Sequence, residues 1–150
     1  MKKIIVCVGS VWTEEDLAGQ RVFEFLQHVR HPGGIQVYQG GLAGLNLLPF
    51  LEQGGRVVFV DSVTGHASSS KVIVLNQQQI VQSQCRKHYG HGAGLPYLLA
   101  VLPRVCTGIM PREIYLVGIE GQCTPESVQE AARTSLDIAA NGTCGHGKEL

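Results

Sequence analysis

Ile4-Ile5-Val6-Cys7-Val8 is an unbroken apolar run that ends at Gly9, and a second run, Val57-Val58-Phe59-Val60, ends at Asp61. A strand that is apolar at every position is covered on both faces, as in a parallel sheet that lies between helices. Both runs are shorter than a typical helix, and each is followed by a residue type that is common in turns. They therefore predict two buried strands of a parallel sheet.

The rest of the chain alternates between strand patterns and helix patterns. Further strands are predicted at residues 35–38, 71–75 and 113–118, and helices at 13–29, 45–51, 95–105 and 124–140. This alternation predicts a three-layer α/β/α domain whose mostly parallel, twisted sheet has about five strands. We expect a single domain over residues 1–140 and a mobile C-terminal tail over residues 141–150.

The charge balance and the apolar segments exclude several classes of protein. The 150 residues include 12 basic and 12 acidic ones, so the formal net charge is zero, and nucleic-acid binding is not expected without a basic field. No stretch has the roughly 18 apolar residues of a membrane span, and the N-terminal apolar run is too short for a signal peptide. The five cysteines have no framework spacing and are expected to be reduced. We therefore expect a cytoplasmic protein that does not bind membranes.

Polar residues are predicted at the carboxyl ends of the strands, where open parallel sheets bind their ligands. These residues are Asp16, Gln39, Asp61 and Glu120. Glycines occupy the same loops, and a loop without side chains lets a ligand approach the backbone closely. The sequence therefore predicts one crevice at this edge of the sheet.

Two carboxylates and one imidazole are candidates for a metal site at that crevice. Asp61 follows a buried strand, Asp16 lies in the first turn of the first predicted helix, and His91 lies between Gly90 and Gly92. Such a set suits a borderline divalent ion such as zinc or nickel and leaves coordination positions open for water or substrate. The alternative is structural, because acids cap helix N-termini and an Asp after a strand often forms an Asx turn.

A nucleotide or phosphate site is a further alternative. The segment from Gly40 to Gly44 precedes a predicted helix and could present backbone N–H groups to an anion. The dinucleotide fingerprint and the Walker A pattern are both missing from it. Tight packing of the predicted helix explains these glycines more simply.

The chain resembles the nickel–iron hydrogenase maturation endopeptidases in five short blocks that occur in the same order. The blocks are Val8-Gly9-Ser10 with Glu15-Asp16 and Gly19, Gly40-Gly41-Leu42-Ala43-Gly44, Val60-Asp61-Ser62, His91-Gly92-Ala93-Gly94-Leu95, and Leu116-Val117-Gly118-Ile119-Glu120. No single block is specific, but together they span almost the whole chain.

The resemblance implies a protease that cuts a C-terminal extension from a hydrogenase large-subunit precursor after nickel has been loaded. It assigns the metal contacts to Asp16, Asp61 and His91, with the nickel carried by the precursor and zinc or cadmium as substitutes. We expect the same three residues to serve catalysis by metal-assisted hydrolysis, with Asp61 as the base or the residue that orients the water.

The glycine loop that follows the second strand is expected to bind the substrate. Its members are Gln39, Gly40, Gly41 and Gly44, and their small or neutral side chains let an extended peptide lie against the backbone. The partner is then the large-subunit precursor, and the protein is expected to be a monomer or a weak dimer.

Two departures from the family pattern leave other functions open. Ser10 stands where the family usually has Asn, and Gln39 stands where it usually has Asp. Glutamine keeps its hydrogen-bonding capacity but cannot be a base or an anionic ligand. The alternatives are a non-catalytic maturation factor that binds the nickel-loaded precursor through the same crevice, and a small-molecule enzyme that uses the glycine loops for a nucleotide or phosphate.

Overall fold

A computed structural model of the protein describes residues 1–9, 17–63, 72–83 and 94–143. The elements in chain order are β1 (Lys3–Val8), α1 (Leu17–Leu26), β2 (Ile35–Gly41), a 3-10 helix (Leu45–Leu51), β3 (Arg56–Val63), β4 (Val72–Asn76), α2 (Gln77–Gln82), α3 (Leu95–Val105), β5 (Glu113–Glu120) and α4 (Pro125–Asn141). None of these helices is long and apolar enough to cross a membrane.

In the described part of the chain, the sheet has five strands in the order β2-β1-β3-β5-β4. The first four of these strands are parallel to one another, and β4 pairs antiparallel with β5. The prediction of a mostly parallel α/β sheet is therefore confirmed. The parallel strands all end at the same side of the sheet, which is called the carboxyl edge below. The opposite side is the amino edge.

Helices cover both faces of the sheet, because the side chains of each strand alternate between two apolar clusters. The first cluster joins Cys7, Val58 and Val60 to residues of α1 and α4 and defines the α1 face. The second joins Val6 and Phe59 to residues of the 3-10 helix, α2 and α3 and defines the α3 face. Burial raises the pKa of the Cys7 thiol to about 12, so this residue is an inert part of the core, as predicted.

The second predicted helix differs from expectation in its type, and the strand before it is longer than predicted. The paired glycines that were expected to turn into it belong to β2, which continues to Gly41, and the helix from Leu45 to Leu51 is a 3-10 helix. Pro49 lies inside this helix and has no N–H to donate to a helical hydrogen bond.

The amide-rich segment after β4 forms a short helix that the sequence pattern did not predict. Asn76 caps α2, because its side chain accepts from the Gln79 N–H while the Gln79 side chain accepts from the Asn76 N–H. These reciprocal bonds satisfy two backbone donors at the start of the helix. The predicted start of α4 is confirmed, with Thr124 as its N-cap and Pro125 as its first residue.

Cations from the sheet hold the C-terminal end of α4 at the amino edge. The Lys3 ammonium donates to the Ala140 carbonyl at 3.1 Å, and the Arg56 guanidinium donates to the Ala139 carbonyl at 2.9 Å. Arg56 also pairs with Glu113 on β5. The last turn of α4 contains no basic residue of its own. The two strand cations therefore satisfy its final carbonyls and complement the helix dipole.

Helix α1 approaches the end of β1 at a single glycine. A Cβ atom on Gly19 would lie 1.9 Å from the carbonyl oxygen of Val8, so only glycine allows the backbones of the two elements to come this close. The first turn of α1 is thereby held against the carboxyl end of β1.

The change of Gly19 to alanine tests this contact. We expect Gly19→Ala to destabilise the domain by about 1–3 kcal/mol or more, because the added methyl group forces α1 away from β1. Helix propensity alone favours alanine by about 1 kcal/mol, so a loss of stability can come only from the clash. Urea denaturation measures the free energy of unfolding of both proteins.

Gly33→Ala is the control, because a Cβ atom there has no neighbour within 4 Å. It should change stability by less than about 0.5 kcal/mol. A Gly19→Ala protein as stable as the wild type would show that α1 does not contact β1 in this way.

A carboxylate connects the 3-10 helix to the segment that follows α3. The Glu52 carboxylate accepts from the Thr107 N–H at 2.6 Å, from the Thr107 hydroxyl at 2.8 Å and from the Gly108 N–H at 3.2 Å. The bond from the backbone of Thr107, followed by the bond from its hydroxyl, lowers the pKa of Glu52 below its ordinary value of 4.5.

This lowered pKa predicts an acid-sensitive contribution to stability. A group with a lowered pKa in the folded state contributes stability above its unfolded pKa and loses it as the pH falls through the folded value. We expect Glu52→Gln to lower Tm at pH 7, and the difference from the wild type to shrink below about pH 4.

Thermal melts between pH 3 and pH 7 provide the measurement. Glu130→Gln, an exposed change on α4, controls for the loss of one negative charge. A Glu52→Gln deficit of constant size over this range would mean that the carboxylate contributes no charge-dependent stability.

Candidate functional site

Asp61 lies near the carboxyl end of β3. The sequence placed it directly after the strand, but β3 continues to Val63, so Asp61 is a strand residue. The reason is that β3 keeps pairing with β5 beyond Asp61, which is in register with Gly118, as far as Val63 opposite Glu120. The Asp61 carboxylate accepts from the Ser62 N–H at 2.7 Å, a bond that restricts its orientation.

The position of Asp61 in β3 assigns it to the α3 face of the sheet. Phe59 and Val63 are the residues two before and two after it, and both belong to the cluster on that face. Its partner in β5 is Gly118, where a Cβ atom would lie 2.7 Å from a methyl carbon of Val63. Asp61 is half-buried and has no side chain directly opposite it on β5.

The first turn of α1 lies beside the same end of the sheet. Cys7 is in register with Val60, so the next residue of β1, Val8, lies next to Asp61. Val8 is also the residue whose carbonyl contacts Gly19 in α1. Asp16, predicted as a metal contact, lies outside the described residues, as does Ser10.

Helix α3 begins at the carboxyl edge as well. Its C-terminal end connects to the amino edge, where the Arg112 N–H donates to the Gly55 carbonyl at 2.7 Å. An α-helix of this length spans roughly 16 Å, about the length of a five-residue strand, so Leu95 lies near the opposite edge. Leu95 belongs to the cluster on the α3 face, which is the face of Asp61.

Of the three predicted metal contacts, Asp61 is the one that the structure describes. His91 precedes α3 and, like Asp16, lies outside the described residues. Within residues 1–9, 17–63, 72–83 and 94–143, no group of three His, Cys, Asp or Glu residues could hold a metal ion. A three-ligand metal site that includes Asp61 therefore needs residues outside the described ranges.

Gln39 lies on the opposite face from Asp61 and two strands away. Its side-chain amide donates to the amide oxygen of Gln20 on α1, and Gln20 in turn donates to Glu24 at 3.1 Å. The structure therefore does not bring the side chains of Gln39 and Asp61 together. Nothing in the sequence pattern connected Gln20 to Gln39, because they belong to different elements.

Glu120 lies on the same face of the sheet as Asp61. It is two residues beyond Gly118, which is the β5 partner of Asp61.

The predicted substrate-binding glycines have different structural roles. Gly40 is the extra residue of a bulge, because Cys7 pairs with Gln39 whereas Val8 pairs with Gly41. A Cβ atom on Gly40 would lie 2.7 Å from a methyl carbon of Val6, so packing alone accounts for this glycine. Gly41 has φ of +70°, and a Cβ atom there would have no neighbour within 4 Å.

The loop after Gly41 is closed by a side chain that sequence reasoning missed. The Asn46 amide donates to the Gly40 carbonyl at 2.9 Å, and the Leu47 N–H donates to the Gly44 carbonyl at 3.0 Å. Gly44 is extended, with φ of 175°. The helix that follows is a short 3-10 helix, which lacks the aligned N–H groups of the α-helix N-terminus required by the phosphate alternative.

The sequence is similar to those of curated hydrogenase maturation proteins, although no protein-family model matches it. The "Hydrogenase 2 maturation protease" of Escherichia coli (strain K12) is 24% identical over 131 residues, which cover 86% of this chain and 76% of that protein. The hydrogenase expression/formation protein HupM of Azotobacter chroococcum mcd 1 is 26% identical over 142 residues, which cover 91% of this chain and 66% of that protein.

The fold is similar to those of solved hydrogenase maturation proteases. The hydrogenase maturating endopeptidase HybD from E. coli superposes with a TM-score of 0.72 at 22% identity, over 93% of this chain and 91% of that one. The [NiFe] hydrogenase maturation protease HycI of Thermococcus kodakarensis KOD1 superposes with a TM-score of 0.62 at 16% identity, over 93% and 90%. In both its sequence and its α/β fold, the chain is therefore similar to hydrogenase maturation proteases.

Proposed function

We propose that this protein is an endopeptidase that removes the C-terminal extension of a nickel-loaded hydrogenase large-subunit precursor. The observation that carries the proposal is the position of Asp61, a half-buried carboxylate at the carboxyl edge where α1 and α3 both begin. Parallel α/β sheets bind their ligands at this edge. Similarity to hydrogenase maturation proteases supports the reaction class.

The metal in this proposal is nickel that arrives with the precursor. Asp16, Asp61 and His91 contact it, and two carboxylates with one imidazole leave coordination positions for the precursor's own ligands. Zinc or cadmium can substitute for nickel in such a set. A divalent ion at this position supplies Lewis acidity toward the scissile carbonyl.

Asp61 has the central role among the protein's own residues. Its bond from the Ser62 N–H holds one carboxylate oxygen, so the direction of the group is set before the substrate arrives. In the proposed reaction Asp61 orients the attacking water and accepts its proton. That proton then passes to the amine of the released extension, so the products are a new carboxyl terminus and a new amino terminus.

The substrate chain is proposed to lie against the loop of Gln39, Gly40, Gly41 and Gly44. The support is strongest for Gly41, which has open space on its side-chain position. Gln39 is exposed and neutral, and its bond to Gln20 positions its amide. Because an amide group has two donor hydrogens and an acceptor oxygen, Gln39 can also form hydrogen bonds with a peptide backbone. We further propose a cytoplasmic monomer or weak dimer that binds neither nucleic acid nor membranes.

A non-catalytic maturation factor is the second candidate. The observation that favours it is Gln39, which stands where the family usually has Asp and whose amide is engaged by Gln20. In that case the protein binds the nickel-loaded precursor but leaves its extension intact.

Intact-mass spectrometry of the precursor tests both candidates. We expect the protein to shorten nickel-loaded precursor and to leave metal-free precursor at full length. Asp61→Asn should slow the cleavage by at least about 100-fold, because general acid–base groups contribute about 10²–10⁴-fold.

The matched control is Asp137→Asn, the same chemical change at an exposed position on α4. It should cleave at the wild-type rate. Cleavage that persists in Asp61→Asn would exclude Asp61 from the reaction, and nickel-dependent association without loss of mass would identify a maturation factor.

A further inference from the structure

Two leucines project from the domain beside the proposed substrate-binding glycines. Leu42 is 63% exposed and Leu45 is 64% exposed, although both are large apolar residues. They lie in residues 42–45, which follow β2 and include the first residue of the 3-10 helix; this segment is called the leucine loop below. Its residue Ala43 packs against the core of the α3 face.

The leucine loop is anchored at both ends. Before it, the Gly9 N–H donates to the Gly41 carbonyl at 2.8 Å and the Asn46 amide closes on the Gly40 carbonyl at 2.9 Å. After it, Leu47 is fully buried. Leu42 and Leu45 are therefore presented from a loop whose ends are fixed, which lowers the entropy cost of binding a partner.

The stretch of sequence that contains the leucine loop carries no acidic or basic residue. Residues 31–51 contain no Asp, Glu, Lys or Arg. This run includes β2, which is an edge strand of the described sheet. Edge strands usually carry charges that prevent unwanted association, whereas the centres of protein interfaces are depleted of charge. An uncharged edge next to two exposed leucines is therefore typical of an interface rather than of a solvated surface.

The location of the loop brings a bound partner within reach of Asp61. The leucine loop begins at the carboxyl end of β2, and Asp61 lies on β3, which is two strands away or about 10 Å. About three residues of extended peptide span that distance. A protein that contacts the loop can thus place its own C-terminal segment over Asp61.

We propose that the leucine loop is a docking surface for the hydrogenase large-subunit precursor. Leu42 and Leu45 contact an apolar patch of the precursor next to the extension that is to be removed. This inference rests on the proposed function, since that function names the precursor as the partner. The loop then adds affinity that depends on neither nickel nor Asp61.

Two exposed apolar residues at the other end of the domain supply an internal control. Ile109 is 69% exposed and Met110 is 40% exposed, and both lie between α3 and β5 at the amino edge. Substitutions at Ile109 and Met110 therefore change exposed apolar surface far from the leucine loop.

The test compares the affinity of two double variants for nickel-loaded precursor. Leu42→Glu with Leu45→Glu is compared with Ile109→Glu plus Met110→Glu, each in an Asp61→Asn background that prevents turnover. Biolayer interferometry measures Kd, and thermal melts check that each variant is folded. We expect the leucine pair to raise Kd at least about tenfold, as for a binding hot spot, and the control pair to leave Kd within about twofold.

The outcomes separate this inference from the proposed function. If the wild type cleaves the precursor and the leucine pair leaves Kd unchanged, the docking surface is wrong and the protease stands. If no cleavage occurs but the leucine pair still raises Kd tenfold, the docking surface stands without the protease. If sedimentation shows a wild-type dimer that the leucine pair dissociates, the loop binds a second copy and the proposal is overturned.

Discussion

The pairing of β3 with β1 on one side and β5 on the other is the constraint on which the rest of the structure depends. Every residue from Val57 to Val60 is fully buried, so β3 is covered on both faces and both edges. The pairing with β5 continues to Val63, which holds Asp61 within a regular strand instead of a turn. The half-buried residues of this strand are Asp61 and Ser62, near its carboxyl end, and the candidate site lies there.

Glycines, which have no side chain, shape the carboxyl edge as much as its polar residues do. Gly19 brings α1 onto the end of β1, Gly40 lets β2 bulge over Val6, and Gly118 makes room for the Val63 side chain beside Asp61. Gly41 differs from them, because its side-chain position faces open space. The three packed glycines allow close packing at this edge, whereas Gly41 and the leucine loop remain available to a partner.

The buried strands could be predicted from the sequence because a continuous apolar run reports directly on burial from both faces. The start of α4 could be predicted for a similar reason, since its signal is local: Thr124 and Pro125 are adjacent to the helical turn that they begin. The 3-10 helix, the bulge at Gly40 and the contact of Gln20 with Gln39 depend on neighbours distant in the chain, and no local pattern encodes them. The same holds for the side-chain geometry of the candidate site, where Gln39 and Asp61 were expected together but occupy opposite faces.

We propose that Asp61 contributes to a divalent metal site at the carboxyl edge, together with Asp16 and His91. A crystal structure of the protein soaked with cadmium tests this proposal, because the anomalous signal locates the ion independently of the protein atoms. We expect one ion coordinated by the two carboxylates and the imidazole, at roughly 2.0–2.4 Å. An Asp61 carboxylate that faces away from every bound ion would contradict the proposal.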